Sequence, residues 1–216
     1  MSFSTMVTTM IPGIGRTCLL FILTAVLSLL LGIGVMFLRQ SRIKIISIIT
    51  KVYISVMRGT PLMLQLLVWY FGPFYLFGWS IRGYRFTAIL LGFVFNYAAY
   101  FAEIYRSGME SVPVGQHEAA QVLGYTKPQT FVKIILPQVV KRILPSVTNE
   151  VITLVKDTSL AFALAYQDVF SIAKQISASQ TSFMPFLIAG VFYYIMNYVV
   201  AFIMDRCEKA LSYYTI

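Results

Sequence analysis

The segment 115-GQHEAAQVLGYTKPQTFVKIILP-137 is a long polar stretch in the middle of an otherwise apolar chain. Its first part, from about Pro113 to Leu123, is made of residues that favour a helix. Gly124 follows directly, and glycine readily adopts the left-handed conformation that caps a helix C-terminus. The segment therefore opens with a short helix that ends at a glycine.

A second short helix is predicted directly after this glycine. Thr126 and Gln129 have the spacing of a capping box, in which the two side chains bond each other's backbone N–H groups. Pro128 falls in the first turn, where its missing N–H costs no hydrogen bond. We expect this helix to run to Pro137. The whole segment then forms a compact helix–glycine–helix unit of a kind suited to docking into a groove.

The composition places this unit in a membrane protein. Of the 216 residues, 58% are hydrophobic and only 12% are charged, and the mean hydropathy is +0.77. Soluble domains of this size carry far more charge, and several runs approach the roughly 20 apolar residues that cross a bilayer. Cys18 and Cys207 lie in or beside apolar runs near opposite ends. We therefore expect both to be inert thiols that take no part in a metal site.

Five apolar runs predict five membrane-spanning helices. The first ends at the basic stretch RQSRIK, the reverse of the charge order in a cleaved signal peptide, so it is expected to be retained with its N-terminus outside. Residues 43–59, which precede the second run, either lie along the membrane interface or extend that helix. The predicted spans cover residues 17–38, 62–77, 86–105, 146–165 and 183–204.

The basic residues support this orientation. Twelve fall in segments that five spans would place in the cytoplasm: Arg39, Arg42, Lys44, Lys51, Arg58, Arg106, Lys127, Lys133, Lys141, Arg142, Arg206 and Lys209. Four would lie outside: Arg16, Arg82, Arg85 and Lys174. The asymmetry follows the positive-inside rule and puts the C-terminus and the 115–137 segment in the cytoplasm. It also explains the net charge of +9 without nucleic acid, since anionic lipid is the natural partner of such charge.

The spacing within the polar segment resembles the EAA signature of importer-type ABC transporter permeases. The matching residues are Glu118, Ala119, Ala120, Gly124, Ile134, Leu136 and Pro137. Three further stretches, in the expected order, are similar to the polar amino-acid (histidine, glutamine and arginine) branch of that family: RGTPLMLQLLVWYFG, NYAAYFAEIYRSGMESVPVGQ and LVKDTSLAFAL. Together they extend from about Arg58 to Leu164.

This resemblance implies an all-α integral membrane protein consisting of one type I ABC importer transmembrane domain, with a core at about 13–208 and a coupling loop at about 111–137. It implies a second permease chain, identical or paralogous, two ATPase subunits and an extracytoplasmic solute-binding protein, in the bacterial cytoplasmic membrane. The sequence contains no G-x-x-x-x-G-K-[ST] motif, so ATP and Mg²⁺ are expected on the ATPase chain, and no cofactor is expected here.

The resemblance assigns the seven signature residues to contact with the ATPase. Ala119 and Ala120 are small enough for another protein to approach the backbone closely. Glu118 offers a carboxylate to a partner or to its own loop, and Gly124 permits the turn between the helices. His117 has no second ligand in the loop, so neither a metal site nor a catalytic base is expected.

Polar residues within the spans have two interpretations, because charges in lipid are costly and face a cavity or a partner helix. They form hydrogen bonds and ion pairs between helices, or they line a solute pocket. On the third span, Asn96, Tyr100, Glu103 and Ser107 share one face. On the fourth, a broad polar face contains Ser146, Asn149, Glu150, Thr153, Lys156 and Asp157. Thr60 and Gln65 are weaker members of this pattern.

For an amino-acid solute, we expect acidic residues to receive the ammonium group and donors to hold the carboxylate. Glu103 and Asp157 are the predicted acceptors, with Ser159 as one of several donors. The complete predicted set for substrate binding is Asn96, Tyr100, Glu103, Lys156, Asp157 and Thr158. Acidic residues outnumber basic ones within the spans, which favours a cationic or zwitterionic solute.

Two other classes of protein, secondary carriers and intramembrane enzymes, fit the sequence less well. Ion- or proton-coupled carriers generally contain two repeated halves, and the sequence shows no internal repeat. An intramembrane enzyme needs a catalytic constellation, and the chain has one histidine and neither an H-E-x-x-H nor a G-x-S-x-G motif. The sequence therefore predicts no catalytic residue and favours the permease subunit.

Replacing Gly124 with valine, or Glu118 with lysine, should leave membrane insertion intact but uncouple ATP hydrolysis from uptake. A side chain at a positive φ costs about 1 kcal/mol or more, and lysine reverses the charge offered to the partner. ATPase activity and uptake are measured on purified transporter in vesicles. Normal uptake by both variants would contradict the assigned role of the loop.

Overall fold

The computed structural model describes residues 2–211, and every regular element in this range is a helix. A π-helical turn, Phe131–Ile135, joins α6 to α7, and a 3₁₀ helix, Thr158–Leu164, follows α7. The α-helices are α1 (Phe3–Arg39), α2 (Lys44–Gly59), α3 (Leu62–Phe77), α4 (Arg85–Glu110), α5 (Val114–Val122), α6 (Lys127–Thr130), α7 (Leu136–Asp157), α8 (Val169–Gln180) and α9 (Met184–Ala210).

Three of these helices, α1, α4 and α9, are by themselves long and apolar enough to cross a membrane. Helices α2 and α3 meet the same test only as a pair, bent by 113°, which raises the number of candidate spans to four. Helix α3 occupies the same residues as the second predicted apolar run. Helix α7 carries Lys141, Arg142, Glu150 and Lys156 and is not among the candidates.

The bend between α2 and α3 has a local cause in the sequence 59-GTP-61. Thr60 has an extended backbone, with φ −121° and ψ 149°, because a proline disfavours the helical conformation of the residue before it. Pro61 itself is extended at the start of α3. The helix therefore stops at Gly59 and restarts in a new direction at Leu62.

Helices α1 and α4 share the most extensive contact between any two described elements. Small buried residues follow one side of α1: Gly13 and Thr17 lie against the start of α8, and Gly32 lies against α4. A Cβ atom added to Gly32 would lie 2.8 Å from the Cβ of Phe101 and 3.3 Å from the carbonyl oxygen of Ala98. Around this contact lies the main hydrophobic core, which includes Leu20, Leu66, Ile89, Phe93, Tyr97, Phe101 and Leu154.

The structure confirms the turn chemistry predicted for the polar segment. Gly124 has φ +78°, so it adopts the left-handed conformation expected at the end of α5. The Thr126 N–H donates to Oε1 of Gln129 at 2.9 Å, and both halves of the capping box are present.

The prediction that the second short helix ends at Pro137 was wrong. The chain continues from α6 through the π turn into α7 without a break. Pro137 has no N–H to donate to the carbonyl of Lys133, and its ring would clash there in a regular α-helix. The Leu136 N–H donates to the carbonyl oxygen of Phe131, five residues earlier and not four. This wider π turn lets the helix pass the proline.

A buried carboxylate fixes the corner where α1, α8 and α9 meet. Asp168 caps α8 by accepting a hydrogen bond from the Ser171 N–H at 2.9 Å, and the Tyr193 hydroxyl donates to its other oxygen at 3.3 Å. The Val169 N–H donates to Thr17 Oγ1 at 3.3 Å. Burial raises the pKa of Asp168 to about 6, although the hydrogen bonds it accepts act in the opposite direction.

Gly32→Ala should destabilise the protein by about 1–3 kcal/mol, because the new methyl group overlaps Phe101 at the α1–α4 contact. Gly34→Ala is the matched control, since nothing lies within 4 Å of a Cβ at that position of the same helix. Both changes raise helix propensity equally, so the difference between them isolates packing. Thermal unfolding in detergent measures it, and equal midpoints would refute the close contact.

Candidate functional site

A cavity of about 430 Å³ lies between the end of α2, the C-terminal half of α4 and α7. Its wall is mainly polar, which distinguishes it from the apolar surfaces around it. The lining residues are Arg58, Tyr100, Glu103, Ile104, Arg106, Ser107, Gly108, Ser111, Arg142, Ile143, Ser146 and Glu150. A polar cavity in a bundle of apolar helices is the feature expected of a solute site.

Two opposite charges, Arg58 and Glu150, face this cavity without an ion pair in the described part of the chain. The Arg58 guanidinium lies 5.2 Å from the centre of the Tyr100 ring, an attractive cation–π arrangement. Neither Arg58 nor Glu150 forms an ion pair within residues 2–211. Arg142, which also lines the wall, donates to the Ser111 carbonyl. The wall therefore offers donor-rich cations and an acceptor-rich anion, the two kinds of group that an amino acid's carboxylate and ammonium require.

Glu103 also lines the cavity, but the protein already satisfies its carboxylate. The Arg106 Nε donates to it at 3.0 Å, and a second guanidinium nitrogen bonds its other oxygen. Arg106 also donates to Glu110 at 2.5 Å. Because these three residues lie at i, i+3 and i+7 on α4, they form one continuous ion-pair row along the wall of the cavity.

Asp157 lies near the cavity but outside its immediate wall. Its carboxylate accepts a hydrogen bond of 2.8 Å from the hydroxyl of Tyr97, which is only 2% exposed. Lys156 is exposed on another face. Thr158 is fully buried and donates to the Val155 carbonyl at 2.7 Å.

The side chain of Asn96 stabilises the bend between α2 and α3 through hydrogen bonds. Its Nδ2 donates to the Met57 carbonyl and to Gln65 Oε1, both at 2.9 Å. Gln65 Nε2 in turn donates to Thr60 Oγ1 at 2.8 Å and to the Met57 carbonyl at 3.0 Å. This network holds the bend from which Arg58 enters the cavity.

Of the six residues predicted for substrate binding, the structure brings Tyr100 and Glu103 into the cavity wall. Sequence reasoning missed Arg58 there, because its charge was attributed to topology alone. Glu150 was placed on the polar face of the fourth span, with both interpretations open, but was not included in the predicted binding set. The signal for Arg58 was its position beside Gly59 and Pro61, since a broken helix inside a membrane usually borders a cavity.

The helix–glycine–helix unit at residues 114–131 forms a second concave surface. It is named the coupling unit here, after the role that the family resemblance implies. It is lined by His117, Gln121, Tyr125, Thr126, Lys127, Thr130 and Phe131. Glu118 and Ala119 are exposed, whereas Ala120 is buried against its own chain. Val122 and Leu123 are 87% and 73% exposed. Ile134 and Pro137 are partly buried and Leu136 is 37% exposed.

The fold and the polar cavity together define a helical membrane permease, and comparison with known proteins gives the family. Residues 29–213 match the family described as binding-protein-dependent transport system inner membrane component. The match covers most of the chain, so the protein belongs to this family. It is a membrane protein with the type I fold of ABC importer permeases.

Relatives extend over nearly the whole chain. The arginine transport system permease protein ArtQ of Bacillus subtilis (strain 168) is 34% identical, over 94% of this chain and 92% of its own length. The octopine transport system permease protein OccM of Rhizobium radiobacter is 34% identical, over 94% of this chain and 85% of its own.

Solved structures agree with this assignment. A crystal structure of an amino acid ABC transporter with histidines superposes with a TM-score of 0.86 at 33% identity, covering 97% of this chain and 99% of that one. The MetNI methionine ABC transporter, in an inward-facing conformation, gives a TM-score of 0.77 at 19% identity over 98% and 99% of the two chains. The latter likeness concerns the fold alone.

Gln65→Met should lower stability by about 1–3 kcal/mol, because the side chain of Asn96 and the carbonyl of Met57 lose a buried partner. It should also weaken solute binding, since the bend positions Arg58. Gln175→Met, at an exposed position whose amide bonds only Gln167, should change neither property. Thermal unfolding and solute affinity are measured on both variants. A Gln65→Met protein as stable as Gln175→Met would refute the role of the network.

Proposed function

We propose that this chain is one half of the membrane permease of an ABC importer for polar amino acids, with preference for cationic or zwitterionic ones. The observation that supports this most directly is the cavity with Arg58 and Glu150 unpaired in its wall. A guanidinium binds a carboxylate well, and a carboxylate binds an ammonium or a cationic side chain. Relatives named as arginine and octopine permeases support the same solute class.

The charges around the cavity balance, as a zwitterionic solute requires. Glu103 and Arg106 neutralise each other in the wall. Of the other groups, Arg58 and Arg142 in the wall are balanced by Glu150 in the wall and Asp157 beside it. Asn96, Tyr100, Lys156 and Thr158 remain in the proposed set of substrate-binding residues, through direct contact or by positioning those that make contact.

We propose five spans with the N-terminus outside, formed by α1, the bent pair α2–α3, α4, α7 followed by its 3₁₀ helix, and α9. The charged residues of α7 that keep it from being an apolar span include Glu150, which faces the cavity and not lipid. The same orientation places the coupling unit and the C-terminal end of α9 in the cytoplasm, on the side richer in basic residues.

The partners follow from this arrangement. Five spans are too few to enclose a path for a solute, so a second permease chain, identical or paralogous, completes it. Two ATPase subunits, which hold ATP and Mg²⁺, contact the coupling unit, and an extracytoplasmic protein delivers the solute. Exposed Val122 and Leu123 support a protein partner at the coupling unit, because such apolar side chains in a cytoplasmic loop favour burial in an interface.

The experiment that tests this function uses the permease reconstituted with its ATPase and binding protein in vesicles. Uptake of cationic, neutral and acidic amino acids is measured with ATP, and separately with only a proton gradient. Glu150→Gln should reduce the apparent affinity for cationic solutes about tenfold, the effect of one lost charge-assisted bond of about 1.4 kcal/mol. Neutral amino acids should be affected less.

Asp205→Asn is the matched control, because it removes a carboxylate that pairs only with Lys209 on the exposed end of α9. It should leave uptake unchanged. Uptake driven by the proton gradient alone would overturn the proposal in favour of a secondary carrier. A Glu150→Gln variant with unchanged solute preference would overturn the assignment of the cavity.

A further inference from the structure

Helix α2 presents three faces with different chemistry. One face is buried against α1 and α4 and includes Thr50 and Ile54. A second is exposed and aliphatic, with Ile45, Ile49, Val52 and Val56 between 49% and 69% exposed. The third, which we call the cationic stripe, is also exposed and consists of Lys44, Ile48, Lys51, Ser55 and Arg58. Steps of three and four residues keep its members on one side of the helix.

The two lysines of the cationic stripe lack neutralising groups. Residues 39–58 contain no aspartate or glutamate. Lys44 and Lys51 form no ion pair within the described part of the chain. The charges of these two lysines are therefore available to a ligand.

The stripe runs from the end of α1 to the cavity. At its start, the Arg39 guanidinium donates to Ser47 Oγ at 3.0 Å. At its end, the Met57 carbonyl accepts from Asn96, near the middle of α4. Lys51 lies roughly 10 Å along the helix axis from Lys44, and Arg58 forms part of the cavity wall.

This course determines what the stripe faces. A lysine and an arginine on the lipid side of a span are costly, and charged residues within spans face water-filled cavities or partners instead. The aliphatic face, one-third of a turn away, is the surface suited to lipid. A symmetric contact between two copies through the stripe is disfavoured, because it would bring like charges together.

We propose that the cationic stripe lines a water-filled vestibule that connects the cavity with the cytoplasmic end of α2. Lys51 and Lys44 contact the carboxylate of the amino acid after it leaves Arg58. This inference rests on the proposed function and extends it from the cavity to the route of release. The ligand class is the α-carboxylate, which every amino-acid solute carries.

The first test is thiol labelling of the assembled transporter, in a Cys18→Ser, Cys207→Ser background that retains uptake. Lys51→Cys and Val52→Cys are treated from the ATPase side with a charged, membrane-impermeant methanethiosulfonate. The two positions are adjacent and both exposed, but they lie on different faces. Lys51→Cys should react about tenfold faster, because the reagent needs an ionised thiol in contact with water.

Equal labelling of the two cysteines, or faster labelling of Val52→Cys, would overturn the vestibule. Labelling depends on geometry and not on transport, so it separates this inference from the proposed function. If ATP-driven uptake fails while Lys51→Cys still reacts faster, the vestibule stands and the function does not. The reverse result would leave the function and remove the vestibule.

The second test concerns charge. Lys51→Gln should slow uptake. Lys51→Glu should slow it further, by about tenfold at low salt relative to Lys51→Gln, because the new carboxylate repels the carboxylate of the solute. Lys174→Gln is the control and should leave uptake unchanged. Lys174 is a cation on α8 that packs over the ring of Phe162. Equal uptake by Lys51→Gln and Lys51→Glu would show that Lys51 only reaches lipid headgroups, and would overturn its role toward the solute.

Discussion

A helix broken within the membrane leaves backbone groups that lipid cannot satisfy, and this constraint organises the structure. The break at Gly59-Thr60-Pro61 leaves the Met57 and Thr60 carbonyls without regular helical partners. Side-chain amides of Gln65 and Asn96 bond these groups from α3 and α4. The same network fixes the bend, and the bend turns Arg58 into the cavity. Polar residues that serve as helix contacts thus also position the wall of the cavity.

The second constraint is mechanical continuity. Helix α6, the second half of the coupling unit, and α7 form one helical path, because the π turn carries the chain past Pro137 without a break. Helix α7 contributes Ser146 and Glu150 to the cavity wall. In the proposed function, a displacement of α6 reaches the cavity wall through this single element. Such π turns are rare and frequently occur at functional positions.

Much of this protein was predictable from local sequence. Composition and apolar runs predicted a helical membrane protein, and turn chemistry predicted the left-handed Gly124 and the Thr126–Gln129 capping box. The polar segment identified the family before any comparison. The failures were also local in origin. A proline was expected to end a helix, but a change of one residue in the hydrogen-bonding register accommodates it. Asn96 was grouped with Tyr100 and Glu103 by helical spacing, although a one-turn difference in depth gives it other neighbours.

The sequence by itself determined the class of protein, its helical content and the position of the coupling unit, because these depend on hydropathy and on contacts a few residues apart. Only the tertiary structure decided which polar residues meet. Arg58 and Glu150 are separated by more than 90 positions, and the angle between α2 and α3 brings them to one cavity. That angle is set by hydrogen bonds from Gln65 and Asn96 to residues on other helices, which no periodicity within one segment encodes.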